Sequence, residues 1–183
     1  FDNIIDFVGG EDYHYFALSA NNSEITGNII NASTQNECGM WAIHSHGSET
    51  DPSLISGNTI TILGCSHGMT VSYAQVVNNT LSFSDPGINA GMSSLIDNNS
   101  ITSNSTSIVS NNVDSVVITN NTISSGSTAM SLSNSGVLIS HNLIESQGRG
   151  IEMHSQSFGE VSNNTIISPN SADYGIHISN QTM

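Results

Sequence analysis

Residues 116–123, VVITNNTI, are rewritten along almost the whole chain, and no other feature restricts the fold as much. Each copy is an apolar run, a polar pair ending in Asn, and a second apolar step, followed by a Ser/Gly turn. Further copies are ITGNII at 25–30, ISGNTI at 55–60, VVNNTL at 76–81, IDNNSI at 96–101, ISHNLI at 139–144 and VSNNTI at 161–166. Their final asparagines are Asn28, Asn58, Asn79, Asn99, Asn121, Asn142 and Asn164, and from Asn58 on the steps are 21, 20, 22, 21 and 22 residues. Asn3-Ile4-Ile5, 25 residues before Asn28, fits as an earlier member.

A period near 21 residues, rich in Ile and Val, is too short for helical repeats, and the frame of a leucine-rich repeat is absent. Within a copy, Val116 and Ile118 face one way and Val117 and Thr119 the other, the period of a strand. A second short strand follows each Asn step: 68–72, 128–132, 150–154 and 175–179 are matching examples. The expected fold is all-β, a parallel β-solenoid of about eight coils of ~21 residues, each strand pairing with its counterpart one coil later. The recurrent Asn suits the bend between strands. It tolerates left-handed backbone angles, and its amide can bond the Asn above and below, satisfying polar groups that a bend would bury.

With this repeat the chain resembles the right-handed parallel β-helix proteins of the pectate-lyase-like superfamily, from roughly Glu24 onward. The resemblance implies a right-handed coil and leaves activity open, because that superfamily spans lyases, hydrolases, epimerases, tailspikes and plain surface repeats.

The unbroken repeat argues for a single domain over 1–183, with 1–23 as an irregular first coil or cap and 24–183 as repeat coils. Ser (33) and Asn (23) are abundant, but the fixed spacing of the apolar residues speaks against disorder. Fifteen acidic residues against one base, Arg149, give a formal charge of −14, a surface that repels nucleic acid and anionic lipid. No apolar run approaches the roughly 20 residues of a membrane span. The start at Phe1, without Met or a signal segment, reads as a mature product or excised piece. An extracellular or cell-surface setting is expected. Sequons occur at Asn21, Asn31, Asn78, Asn98, Asn104, Asn120, Asn163 and Asn180, a number near chance for this composition.

Reactive residues gather at few places. Asp2, Asp6, Glu11 and Asp12 beside a Gly-Gly turn could hold calcium, though a solvated acidic loop explains them as well. No other cofactor is expected. The coil from Glu24 to Ser53 is nine residues longer than the norm, with its excess at 46–52 and near Cys38. Cys38 and Cys65 fall in consecutive coils and could pair as a disulfide. With His44, His46 and His67 they could instead hold zinc, although the spacing matches no zinc pattern, and no metal site is favoured. Residues 54–144 carry no evident chemistry. Toward the end, Glu152 and His177 are expected at matching outward positions on adjacent coils, with His154 two residues along and Arg149 nearby. That group suits acid–base work on an acidic sugar, but an exposed strand face with ordinary polar residues is the favoured reading. No catalytic set is favoured, and Glu152, His154, His177 and Arg149 are the fallback candidates.

Lyases of the superfamily imply a Lys or Arg base with calcium or basic groups against the substrate carboxylate, and hydrolases imply clustered aspartates. This chain has no Lys, one Arg and scattered acids. A structural or adhesive solenoid fits better, associating head to tail with copies of itself or with further coils of a longer chain, and with a glycan as a further partner. Ice binding wants ranks of Thr, and the column Thr70, Ser131, Glu152, His177 is mixed.

Overall fold

The structure, a computed structural model, describes residues 3–9, 15–34, 40–64, 66–169 and 174–179. Three parallel sheets run the length of the coil. Sheet A has eight strands, from Ile4–Gly9 to Thr165–Ile167, each beginning just after the Asn bend. Sheet B also has eight, from Tyr15–Asn21 to Ile176–Ser179. Sheet C has seven, from Glu24–Thr26 to Phe158–Ser162, each ending at the next Asn bend. The expected solenoid and its coil number are therefore those observed.

Strand periodicity builds the core. On sheet A, Ile30, Ile60, Leu81, Ile101, Ile123 and Ile144 stack in register, and on sheet C Ile55, Val76, Ile96, Ile118 and Ile139 do the same. Sheet B supplies Ile43, Met69, Ile88, Ile108, Met130 and Ile151. All of these are buried. Three apolar columns meet on one axis, so most hydrophilic residues are driven to alternate, outward positions, and the polar residues that are buried are mainly Ser and the corner Asn.

The bend between sheets C and A divides its work between two residues. The ladder asparagines do not carry left-handed angles themselves, contrary to the sequence expectation. The residue before each one does: Gly27, Gly57, Asn78, Asn98, Asn120, His141 and Asn163 have φ between 53° and 66°. That reversal turns the following Asn into the corner, where its amide is walled in. Asn99 is typical: its Nδ2 donates to Val76 O at 2.8 Å, Asp97 O at 3.0 Å and Asn121 Oδ1 at 3.0 Å. Its Oδ1 accepts from the backbone N–H of Asn79 at 2.9 Å. The same pattern links Asn28, Asn58, Asn79, Asn99, Asn121, Asn142 and Asn164, and Asn3 joins through Nδ2 to Asn28 Oδ1 at 3.0 Å.

A second tight corner, between sheets B and C, uses left-handed Asn22, Tyr73, Ser93, Asn112, Asn134 and Ser155. Length varies both at the corner between sheets B and C and at the third, between sheets A and B. The third approaches the neighbouring coil closely: a Cβ on Gly87 would lie 2.3 Å from Ser107 O. The first coil is more regular than its aromatic and acidic sequence implies, since 4–9 and 15–21 pair in register with 29–34 and 40–46. The extra length at 46–52 is a polar loop closed on itself by Ser48 and Asp51 and tied to Asn22.

Candidate functional site

The densest group of reactive side chains lies on the outer side of sheet B, where Ile151–His154 pairs with Ile176–Ser179. Register places Glu152 opposite His177 and His154 opposite Ser179, as the repeat spacing implies. The column through this position is Thr70, Asn89, Val109, Ser131, Glu152, His177, so two coils stand between Thr70 and Ser131.

All four fallback residues converge on one oxygen. The guanidinium of Arg149, three residues earlier in the chain, lies against Glu152 Oε1. His154 Nε2 is 3.2 Å and His177 Nδ1 3.4 Å from the same atom. His177 stacks on Tyr174, with ring centroids 5.4 Å apart, and His154 Nδ1 is 3.0 Å from Ser179 Oγ. Glu152 therefore sits at an outward position yet is only 8% exposed, because its neighbours roof it over. Neither imidazole approach to Oε1 has hydrogen-bond geometry, so the group is held by charge and packing. A carboxylate this covered is costly to bury unless its charge is offset, and Arg149 supplies the offset. The same cover keeps Glu152 from a substrate proton, which an acid–base residue must reach.

The other candidates are not brought into such a group. Cys38 and Cys65 lie outside the described residues, as do Asp2, Glu11, Asp12 and Asn180. His44 and His46 are on sheet B opposite Thr70 and Ser72, and His46 packs edge-on against Tyr73 at 5.7 Å. The backbone of His67 pairs with Trp41, three residues before the level of His44. Asp6 faces outward on sheet A and accepts from Asn31 Nδ2 at 2.8 Å. Among the described residues no group of three or more His, Cys, Asp and Glu is arranged to hold a metal ion. The sequon residues Asn21, Asn31, Asn78, Asn98, Asn104, Asn120 and Asn163 are all exposed. In the repeat pairs it is the first Asn that carries the sequon, while the second is the ladder residue.

Sequence reasoning missed a shallow concavity of about 260 Å³ on sheet B, lined by Trp41, Pro86, Asn89, Val109 and Asn111. It lies beside the short strand Ile88–Ala90 and a large aromatic, and only Trp41, the single Trp of the chain, could have signalled it. Glu152 does not line it.

A family model described as right handed beta helix region matches residues 55–183, well over half of the chain. Comparison with curated proteins and with solved structures returns no match.

Proposed function

This chain belongs to the right-handed beta helix family, and we propose that within it the chain is a structural or adhesive solenoid of a cell surface or extracellular layer. The observation that carries this reading is the Asn ladder, which runs from Asn3 to Asn164. An interior so uniform favours stiffness along the axis over a specialised cleft. The Glu152 group supports the same reading. Its carboxylate is already matched by Arg149 and roofed by His154 and His177, the arrangement of a staple between two coils.

Assembly would proceed along the axis. Strand Ile176–Ser179 carries exposed Ile176 and Ile178, whose counterparts one coil earlier, Ile151 and Met153, are buried. Another subunit, or further coils, would extend the same parallel sheets from that edge. The charge of −14 then keeps the lateral faces of neighbouring rods apart.

Light scattering with negative-stain imaging tests this on the purified chain, beside an assay for cleavage of neutral and acidic polysaccharides. Axial filaments or stacked rods without cleavage are expected. Polysaccharide cleavage that Glu152→Gln abolishes, with the fold intact by circular dichroism, would overturn the structural reading in favour of a carbohydrate-active enzyme.

A further inference from the structure

Sheet A presents a feature that the column on sheet B lacks. Its outward positions form two parallel ranks across four consecutive coils: Thr59, Thr80, Ser100, Thr122 in one and Thr61, Ser82, Thr102, Ser124 in the other. We infer that this face binds ice.

Three properties of the array point to a flat, neutral, repeating occupant. First, its hydroxyls are unused. Inward-turned serines at the ends of sheet A strands spend theirs on the chain, as Ser103 does on Asp85 O at 3.1 Å, Ser125 on Ser105 O at 2.6 Å and Ser146 on Gly148 O at 3.0 Å. Among the described residues, none of the eight outward hydroxyls makes a hydrogen bond to protein. Second, the array is uncharged in a chain of charge −14, and the acids nearest in its second rank, Asp6 and Glu145, stand beyond its ends. Third, it is stiff and regular. Buried Ile60, Leu81, Ile101 and Ile123 lie directly beneath, and five of the eight residues are Thr, whose branched Cβ limits rotation.

The grid spacing follows from the sheet. Hydroxyls repeat at about 4.8 Å from coil to coil and at roughly 6.6 Å between the two ranks, two residues along a strand. These repeats lie close to the oxygen spacings along the two axes of a prism face of hexagonal ice. A dissolved small ligand needs a concavity, and the one on this sheet, about 330 Å³ beside Asp6, Asn31 and Leu63, takes in only Thr61 of the eight. A crystalline polysaccharide would be met by aromatic platforms, and these ranks hold none. Ordered water satisfies both limits, since each hydroxyl can donate and accept while the Thr methyls fill the spaces between water molecules.

The test is incorporation of the chain into slowly growing polycrystalline ice, with thermal hysteresis measured on the same samples. Thr80→Tyr and Thr102→Tyr, single and combined, place bulk on the grid without touching the core. Gln75→Tyr, exposed on sheet C, is the control. Enrichment of the parent in ice is expected, lost in the double variant and kept in the control, with circular dichroism and melting temperature unchanged in every variant. Exclusion of the parent from ice overturns the inference, as does enrichment that survives the double variant. Retention on crystalline cellulose or chitin without ice enrichment overturns it too, in favour of a sugar lattice.

Discussion

Replacing Asn99 by Ala should be among the most damaging single changes to this fold, although it removes only one small polar side chain. Asn99 is 3% exposed, in the middle of the ladder. Truncation deletes its donations to Val76 O, Asp97 O and Asn121 Oδ1 and the acceptor that holds the Asn79 N–H. Asn121 Oδ1 keeps a partner in the backbone N–H of Asn99, at 2.9 Å. One buried group, the Asn79 N–H, is left without a partner, and the Val76 carbonyl, inside a paired strand, loses its side-chain donor. At about 1–3 kcal/mol for the orphaned donor and about 0.5–1.5 kcal/mol for each of the three lost donations, the loss is about 2.5–7.5 kcal/mol. Asn98→Ala is the matched comparison. Its side chain is exposed, and the change forces Ala to φ 53°, a cost of about 1–2 kcal/mol. Denaturant unfolding followed by circular dichroism would rank the two. Because coils couple mainly to their neighbours, the Asn99 variant should also broaden the transition as the two halves separate. If Asn98→Ala proves the more damaging, left-handed geometry holds the bend and the amide column does not.

Two glycines separate steric from conformational constraint. Gly87→Ala drives a Cβ into Ser107 O and should cost about 1–3 kcal/mol or prevent folding. At Gly57 the nearest atom to an added Cβ is 3.9 Å away, so only its φ of 63° matters. Gly57→Asn should stay within about 1 kcal/mol of the parent, while Gly57→Val loses about 1–2 kcal/mol or more by thermal melting. Glu152→Ala should loosen the coil at 174–179 selectively. Hydrogen exchange would show faster amides in Ile176–Ser179 with Val116–Thr119 unchanged, and uniform protection would mean that the cluster holds nothing.

The candidate site is partly legible in the sequence. A constant step between repeats fixes which residues stack, so Glu152 beside His177, with His154 on the same face, follows from spacing. Spacing carries no side-chain rotamers, however. It does not show that Arg149 folds back onto Glu152, that Tyr174 stacks on His177, or that an outward carboxylate ends up buried. Those contacts depend on how long side chains lie across a surface, which no periodicity encodes.

The same boundary explains the hydroxyl ranks. In the sequence, the residues just after each ladder Asn read as the tail of the repeat. The mixed column that speaks against ice belongs to the following strand, where Glu152 and His177 interrupt it. Sequence alone determined the parallel coil, the apolar columns and the Asn corner, because these follow from two periods, two residues along a strand and about 21 along the chain. Tertiary structure decided which Asn of each pair takes the left-handed angle, since the corner admits only one side chain inward. It also decided that residues 59–124 of sheet A present one grid of unspent hydroxyls. That depends on three sheets facing three ways, and a linear repeat does not state which of its strands shares a face with which.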